Sequence, residues 1–486
     1  MFCACGEAAG KSIKQNSMKL QITNNHKPLS IILADAGVPL DLRCGGKGTC
    51  GRCKVRLLSG SWNENGRHLD APAEALACQT ILLSEDGTVE IGQETMLPDR
   101  EGVIANEWST ARVLPSTAET VVGFDIGTTT IAAAALHGGK VVAHSSRFNP
   151  QAAFGDNVIS RISASREHLA EMRAILLDTM REMLTELPSP SSVAVAGNPT
   201  MTCIFHGIDP TPIGRAPFTL PQKSFASVSG KPLGLLYNIN LYTVPLISAY
   251  LGGDVLGGMA EAQLAPGDLF IDLGTNCEML FRNDDNQCVG SSSAAGPAFE
   301  GAGILCGMRA VPGAITHFRS FDNFDVVGGV KPLGLCGSAL VDLLALMRSN
   351  GRLTQYGRIQ PKADSIRIAD GIVVTERDIE TLLKAKAAVH GGILALEKHC
   401  GQTAKRLVLA GGFAQYLDVS NAIRIGLIPQ RDCRTVGNVS LAAALRLAAM
   451  PEYAHELETT AATVSETPLN LIPEFQDYYI DSMILP

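Results

Sequence analysis

The stretch VVGFDIGTTTIAAAAL, residues 121–136, decides the fold of this chain. It predicts an apolar strand that ends at Asp125, a turn of Gly127 followed by three threonines, and a second apolar strand. A related stretch, LFIDLGTNCEML, occupies residues 269–280 and places Asp272, 147 residues further along, in the same order of residue types. The repeat of aspartate, aliphatic residue, glycine, threonine, and threonine or asparagine predicts an internal duplication.

The residue types of the two turns suit the binding of phosphate and metal. Glycine at a turn brings backbone N–H groups close to anionic oxygens, and threonine or asparagine adds side-chain donors. An aspartate at the end of the strand can face a divalent cation. Either turn alone is equally well explained as an ordinary hairpin, so the prediction depends on both turns occurring together.

A third motif, RLVLAGGFAQYLD at residues 406–418, predicts a strand that runs into a Gly411-Gly412 turn and then a helix. In this order the three motifs resemble the superfamily of actin, Hsp70 and sugar kinases, which has two ribonuclease-H-like halves with ATP and a divalent metal between them. The resemblance covers about residues 120–452 and implies an α/β fold. It implies that Gly411 and Gly412 border the nucleoside, and it implies phosphate and metal contacts at Asp125, Gly127, Thr128, Thr129, Asp272, Gly274, Thr275 and Asn276.

Hydrolysis needs a carboxylate that acts as a base or orients water. The candidates, in order, are Asp272, Asp254 in YLGGDVLGG and Asp156 in FGDNVIS. Asp254 also fits a simpler role, the cap of the helix that follows it. Lys386 lies in an otherwise apolar part of a predicted helix and could reach the nucleotide, although a lysine that snorkels to the surface is the commoner case.

A separate group of cysteines lies near the N-terminus. The stretch CGGKGTCGRC, residues 44–53, has a C-x5-C-x2-C spacing, and Cys78 follows after 24 intervening residues. This is close to the plant-type [2Fe–2S] pattern, with the first gap longer by one residue. Zinc is the alternative, but a zinc ribbon has two short cysteine pairs instead of a triplet and a single cysteine. The expected ligands are Cys44, Cys50, Cys53 and Cys78.

The strands and the helix predicted around these cysteines resemble a β-grasp ferredoxin domain over residues 18–93, which is an α+β fold. Residues 1–17 form a tail with no assigned function, and residues 94–119 are polar and predict a linker. The acidic segment 453–486 has no lysine or arginine. We expect its first half to be flexible and its apolar end to pack on the ATPase domain.

The composition excludes several classes of function. The chain has 486 residues, 18% of them charged, and a formal net charge of −8. This acidic balance gives no basic surface for nucleic acid, and no run of about 18 apolar residues predicts a membrane span. The N-terminus lacks the apolar core of a secretory signal, and the 13 cysteines are an odd number. We therefore expect a cytoplasmic protein with reduced thiols and neither nucleic acid nor membrane as a partner.

Three stretches extend the resemblance to one family: NPQAAFGDNVISRI (149–162), EGAGILCGMRAVPGAI (300–315) and AGGFAQYLD (410–418). With a ferredoxin domain ahead of the ATPase, they resemble the reductive activators of corrinoid proteins. The resemblance implies ATP-dependent transfer of one electron from a [2Fe–2S] cluster to the cobalt of a corrinoid methyl-transfer protein, which returns Co(II) to Co(I). It implies the cluster, ATP and Mg²⁺ as cofactors, and a low-potential electron donor as a second partner.

Two other functions fit the same architecture. One is an ATP-driven electron donor for another low-potential enzyme, such as a dehydratase or reductase. Activators of that kind usually hold a [4Fe–4S] cluster across a dimer, which the fused ferredoxin domain argues against. The other is a metabolite kinase with a redox-sensing iron–sulfur domain, which would transfer phosphate to an acceptor. A homodimer is a further expectation for the assembly.

Overall fold

The computed structural model describes residues 17–23, 26–36, 38, 40, 48, 51, 53–92, 112–155, 157–236, 238–301 and 303–486. The predicted tail apart from Ser17, most of the predicted linker, Cys44, Cys50 and Asp156 lie outside the described residues. The chain divides into two compact units, one formed mainly by the first 99 residues and one by residues 100–486.

The N-terminal unit is built from short strands and one helix around a small core. Its four-stranded sheet has the order β1-β7-β2-β5, and a three-stranded sheet has the order β4-β3-β6. Leu29, Leu57, Trp62 and Val89 are fully buried in this unit. Its elements are β1 (Met18–Thr23), α1 (Leu29–Asp35), β2 (Lys54–Ser59), β3 (Ser61–Glu64), β4 (Arg67–Asp70), β5 (Ala73–Leu76), β6 (Thr80–Leu82) and β7 (Asp86–Ile91).

The first half of the second unit has a six-stranded sheet of order β10-β9-β8-β11-β13-β12. Its elements are β8 (Val121–Ile126), β9 (Thr130–His137), β10 (Lys140–Phe148), α2 (Val158–Thr185), β11 (Ser192–Gly197), α3 (Pro199–His206), β12 (Val228–Ser229), β13 (Asn240–Thr243) and α4 (Gly253–Ala262).

The second half has a six-stranded sheet of order β23-β22-β14-β15-β16-β24, together with two smaller sheets, β18-β17-β19 and β20-β21. Its elements are β14 (Asp268–Leu273), β15 (Cys277–Arg282), β16 (Cys288–Ser293), β17 (Ala314–Ser320), β18 (Asn323–Val326), β19 (Gly334–Leu335), α5 (Gly337–Ser349), β20 (Ser365–Ala369), β21 (Ile372–Thr375), α6 (Glu376–His399), β22 (Arg406–Ala410), α7 (Val419–Arg424), β23 (Asp432–Thr435), α8 (Val439–Ala449), α9 (Tyr453–Thr463), β24 (Val464–Glu466) and α10 (Phe475–Asp481).

The two large sheets repeat one topology. In each, three antiparallel strands are followed by two parallel strands: β10-β9-β8-β11-β13 in the first half and β16-β15-β14-β22-β23 in the second. The hairpins that carry the two repeated motifs, β8–β9 and β14–β15, occupy the same place in this order. The predicted α/β fold of two duplicated halves is confirmed.

The first sheet is covered on both faces, which explains the apolar run of residues 131–136. Alternate residues of β9 enter two different clusters, with Ala133 on the side of α2 and Ala134 on the side of α4 and α8. Strands buried on both faces read as continuous apolar runs because neither face meets water.

Helices α4 and α8 pack against each other and join the two halves. A side chain at Gly257 in α4 would lie 2.5 Å from the Ala443 methyl group in α8, and one at Gly123 in β8 would lie 2.8 Å from the Leu445 nitrogen. Glycine is needed at both places because the backbones approach so closely. The same cluster contains Phe270 from the second sheet, so residues of both halves share one core.

The C-terminal segment differs in part from its prediction. The expected flexible first half is a helix, α9, whose Tyr453 and Leu457 are buried in the core shared by the two halves. At the chain end, α10 packs on α6 so closely that a side chain at Gly391 would lie 2.9 Å from the Tyr479 backbone. Leu485 is 1% exposed. The prediction gave weight to the acidic composition and overlooked the apolar residues Tyr453, Leu457 and Ala461, which recur every four residues along α9.

In the part of the chain that the structure describes, no helix combines the length and the apolar character needed to cross a membrane.

Candidate functional site

The two repeated motifs form short turns that differ in length, with four residues between the paired Ile126 and Ile131 in the first and three between Leu273 and Cys277 in the second. In the first turn the Gly127 N–H donates to the Thr130 carbonyl at 3.0 Å, and in the second the Gly274 N–H donates to the Asn276 carbonyl at 3.0 Å. A side chain at Gly127 would lie 2.6 Å from the Thr130 carbonyl oxygen, so only glycine fits there. Each turn leads from the strand with the aspartate directly into the next antiparallel strand.

The threonines of the two turns meet at one carboxylate. Thr129 donates to Glu300 Oε2 at 2.9 Å and Thr275 donates to Glu300 Oε1 at 2.8 Å. The two hydroxyl oxygens are 3.5 Å apart, although the residues are 146 positions apart in sequence. The structure thus brings the two predicted phosphate turns together at the junction of the halves.

Residues of the motif at 149–162 donate hydrogen bonds to the backbone carbonyls of the first turn. Asn149 donates from its side chain to the Gly127 carbonyl at 2.8 Å and from its backbone to the Thr129 carbonyl at 2.9 Å. Arg161, which is 1% exposed, donates to the carbonyl oxygens of Thr128 and Gly155. These contacts fix the backbone of the turn, so its side chains are held in position.

Helix caps orient two further site residues. Asn198 caps α3 and donates to the Thr128 hydroxyl at 3.0 Å. Asn438, the cap of α8, donates to Asp125 Oδ2 at 2.9 Å, and Ser440 donates to Asp125 Oδ1 at 2.9 Å. In each case one side chain caps the helix and also contacts a site residue. The electropositive N-terminal ends of both helices are therefore directed toward the site.

The Gly411-Gly412 turn lies beside Asp272. Strand β22 runs parallel to β14 and pairs Ala410 with Asp272. A side chain at Gly411, whose φ is +94°, would lie 2.5 Å from Asp272 Oδ1, whereas the space around the Gly412 Cβ position is open within 4 Å. The Gly411-Gly412 turn, which is predicted to border the nucleoside, therefore adjoins the second predicted phosphate turn and leaves room next to it.

Four carboxyl groups influence one another here: Asp125, Asp254, Asp272 and Glu278. Burial raises the pKa of each, and neighbouring carboxylates add to the shift for the last three. The pKa of Asp272 rises to about 7 through burial and the charges of Asp254 and Asp125. The pKa of Asp254 also rises to about 7, through burial and then Asp125. Glu278 lies opposite Asp272 in the β14–β15 hairpin, and its pKa is well above the ordinary value.

This group of acids suits a divalent cation, whose charge would relieve the mutual repulsion and favour the ionised forms. Among the described residues, no three His, Cys, Asp or Glu side chains are arranged as a ready metal site. Magnesium usually takes only one or two carboxylates and completes its shell with phosphate oxygens and water. The residues therefore fit Mg²⁺ that enters together with a nucleotide.

Asp254 and Lys386 occupy places that narrow their roles. Asp254 is not the predicted cap of α4, because Gly252 is the N-cap and Asp254 lies in the first turn, where it accepts a hydrogen bond from the Val255 N–H at 2.8 Å. Its charge acts on Asp272 and Glu278. Lys386 is 1% exposed, and its Nζ donates to the Ile484 and Gly426 carbonyls at 3.0 and 3.5 Å. Burial lowers its pKa to about 8. The contacts of Lys386 bind the C-terminal segment and its side chain is buried, so the snorkelling alternative is wrong, whereas the nucleotide contact stays a prediction.

Sequence reasoning missed several residues that the structure adds to this site. Glu278 could have been found, since a hairpin with a three-residue turn places it opposite Asp272. Glu300 opens the stretch 300–315 that the resemblance singled out, but no pattern assigned it a contact, and the remaining three come from distant segments with no local signal. The missed residues are Asn198, Glu278, Glu300, Asn438 and Ser440.

The N-terminal unit places two of the four predicted cluster ligands side by side. Cys53 and Cys78 are both buried, and the Ala77 N–H donates to the Cys53 carbonyl at 2.9 Å. The Gln79 side chain lies 3.8 Å from Cys78 Sγ. Gly48 in the cysteine loop has a φ of +71°, and a side chain there would lie 2.9 Å from Gln79. Two buried cysteines on neighbouring backbone segments, with Gly48 close to Gln79, the residue after Cys78, fit a thiolate-bound cluster.

Three family descriptions match the chain in order. A 2Fe-2S iron–sulfur cluster binding domain matches residues 13–83, the RACo middle region matches 120–266, and the C-terminal domain of RACo, the ASKHA domain, matches 267–486. The boundary between the last two falls directly before β14, where the second half begins.

The chain is similar to two curated proteins and one solved structure over much of their length. It is 27% identical to the corrinoid activation enzyme RamQ of Eubacterium limosum, over 84% of this chain and 88% of that protein. It is 27% identical to the [Co(II) methylated amine-specific corrinoid protein] reductase of Methanosarcina barkeri, over 56% of this chain and 59% of that protein. It is 27% identical to the solved structure of a reductive activator for corrinoid, iron–sulfur protein, with a TM-score of 0.67 over 96% of this chain and 96% of that chain.

Proposed function

Because this chain belongs to the family of reductive activators of corrinoid proteins, we propose that it uses ATP to reduce the Co(II) of a partner corrinoid protein to Co(I). The observation that supports this proposal most is the order of parts: an iron–sulfur unit and a duplicated ATPase follow one another in one chain, and this whole arrangement lies within the 96% of the chain that matches the solved activator. The bound [2Fe–2S] cluster supplies one electron, and the cobalt of the partner is the substrate that receives it.

At the ATPase site, the N–H groups and hydroxyls of the two turns bind phosphate oxygens, and the acids position Mg²⁺. Asp272 is the first choice for the carboxylate that orients the attacking water, because its pKa near 7 allows it to exchange a proton at neutral pH. Asp125 has both oxygens occupied by Asn438 and Ser440, which suits a fixed metal-facing role. Gly411 and Gly412 border the nucleoside.

At the N-terminal unit, Cys44, Cys50, Cys53 and Cys78 hold the cluster. The support for this assignment is the spacing of the cysteines together with the adjacency of Cys53 and Cys78. The buried position of both thiols keeps water away from the ligands, which is one of the factors that set a cluster potential.

The energetic need for ATP follows from the redox scale. Plant-type clusters have potentials near about −400 mV, and a one-electron equilibrium shifts tenfold for roughly 59 mV. Reduction of a corrinoid to Co(I) needs a potential lower than that of such a cluster. Hydrolysis can supply the difference if it is coupled to a change that favours the reduced product. This requirement explains why the two units share one chain.

Several finer features belong to the same proposal. The partner is a corrinoid methyl-transfer protein of a methyltransferase system, and a low-potential electron donor reduces the cluster in the cytoplasm. The proposed domains are 18–93 for the ferredoxin part and 120–452 for the ATPase, with 94–119 as the linker. A homodimer stays a prediction that sedimentation would test.

A single-turnover experiment tests the function. The chain is reduced anaerobically, freed of reductant and mixed with excess Co(II) corrinoid protein and Mg-ATP. We expect one Co(I) for each cluster that is oxidised, since each transfer moves one electron. Transfer of the ATP phosphate to an added metabolite, without cobalt reduction, would favour a kinase instead.

A further inference from the structure

Glu300 lies where the three nucleotide motifs converge, although it belongs to none of them. Its carboxylate accepts the hydroxyl protons of Thr129 and Thr275, one from each half. The preceding residue, Phe299, stacks on Phe413 with ring centroids 5.2 Å apart, and Phe413 directly follows Gly412. The two residues Phe299 and Glu300 thus contact both predicted phosphate turns and Phe413, the residue after the Gly411-Gly412 turn.

The position of Glu300 is fixed by its surroundings. It closes the short 3-10 helix Pro297–Glu300, and the following Gly301 has a φ of +82°. Gly337 at the start of α5 lies so close that a side chain there would be 1.9 Å from the Phe299 carbonyl oxygen. Phe299 itself is 8% exposed. The backbone on both sides of Glu300 is therefore held, and the carboxylate is directed at the threonines by its scaffold.

The same segment makes a second contact with the first half. The Arg309 guanidinium lies over the Phe148 ring at 4.2 Å from its centroid. Phe148 pairs with Thr130 in the β9–β10 register, so this contact is next to the first phosphate turn. Residues 300–309 therefore reach the first half at two neighbouring places.

Glu300 and a bound phosphate would compete for the same hydrogen-bond donors. A threonine hydroxyl has one proton, and here both protons are donated to the Glu300 carboxylate. A phosphate oxygen is also an anionic acceptor, so it competes with Glu300 for the same two protons, and its charge is repelled by the carboxylate. The Glu300 carboxylate therefore lowers the affinity of the site for phosphate, and in the absence of phosphate it keeps the two turns together.

We infer that Glu300 is a positioning residue that holds Thr129 and Thr275 together and gives up their hydroxyl protons to ATP phosphate oxygens. This inference rests on the proposed ATPase site. The affinity for Mg-ATP is then set partly by the exchange of these two hydrogen bonds from Glu300 to the phosphate.

The test compares Glu300→Gln with wild type. Binding of a non-hydrolysable ATP analogue with Mg²⁺ is measured by calorimetry, and KM and kcat are measured with Mg-ATP. We expect about threefold to tenfold tighter binding and a lower KM, with kcat changed by no more than about threefold, because the amide removes one anionic competitor. Glu300→Ala serves as a second variant, in which both contacts are removed and the change in affinity has the same sign.

Glu376→Gln is the matched control. Glu376 lies in the same half and also accepts two hydrogen bonds, from the Ile359 N–H and from Arg358, but outside the phosphate turns. Its nucleotide affinity should equal that of wild type. Unchanged or weaker binding in both Glu300 variants would overturn the inference, and so would a hundredfold loss of kcat at unchanged affinity. Failure of wild type to bind Mg-ATP at all would instead overturn the proposed function.

Discussion

Single residues at the site show that burial and like charge, rather than a positive partner, shape its acids. Asp125, Asp254 and Asp272 come from three different elements, and for each the largest cause of the raised pKa is burial. Folding thus brings together groups that repel each other when ionised. Arrangements of this kind are common at sites that bind a cation or move a proton.

The role of Asp272 is tested by Asp272→Asn. We expect kcat for ATP hydrolysis to fall by about a hundredfold or more, because the amide can neither accept a proton nor hold the metal charge. Asp268→Asn is the control, since Asp268 is a buried carboxylate at the far end of the same strand, where it accepts a hydrogen bond from the Ala265 N–H. Near-normal turnover in Asp272→Asn would move the role to Asp125 or Asp254.

The cluster assignment is tested by Cys53→Ala and Cys50→Ala. Each should remove the [2Fe–2S] absorption and bring bound iron to background, because a thiolate ligand is lost. Cys288→Ala, a buried thiol in the ATPase part, should keep full iron content. An unchanged spectrum in either ligand variant would contradict the ligand set.

Whole elements explain which parts of the site could be predicted from sequence. The two turns were predictable because a hairpin motif is local, with its glycine, threonines and aspartate in one short stretch. Glu300, Asn198 and Asn438 were not, because each reaches the turns through tertiary packing from a distant segment. Helix α9 was predictable in principle, since Tyr453, Leu457 and Ala461 recur every four residues, but its acidic composition was given more weight.

The packing of α9 leads to a stability prediction. Leu457 is fully buried in the core shared by both halves. Leu457→Ala should lower the free energy of unfolding by about 2–5 kcal/mol, the usual cost of such a cavity. The neighbouring Glu458→Ala, at an exposed position, should stay within about 0.5 kcal/mol of wild type. Denaturant unfolding measures both, and equal stabilities would mean that α9 does not pack as described.

At the scale of the whole molecule, the raised pKa values couple stability, pH and metal binding. Asp254 and Asp272 keep their protons in the folded state up to about pH 7, but lose them near pH 4 when unfolded. The folded state binds more protons in this window, so its stability is highest at the acid end and falls as pH rises from about 4 to about 7. Mg-ATP should offset this loss, because the cation favours the ionised forms.

The same coupling predicts proton release when Mg-ATP binds. The affinity should rise with pH up to about 7, by at most about tenfold per pH unit for each proton released. Calorimetry in two buffers of different ionisation heat counts these protons. Asp272→Asn should release fewer than wild type, and protonation of ATP itself cancels in the comparison. Equal proton release in the two proteins would show that Asp272 is already ionised.

We propose that ATP hydrolysis in one unit drives an electron from the other unit to the cobalt of a partner protein. The direct measurement follows the visible spectrum of a Co(II) corrinoid protein, mixed anaerobically with this chain and a low-potential reductant, with and without Mg-ATP. We expect Co(I) to accumulate only with Mg-ATP, and only when both Asp272 and Cys53 are intact. Two results would contradict this coupling: a reduced cluster and hydrolysed ATP while the cobalt of several corrinoid proteins stays Co(II), or equal formation of Co(I) without ATP.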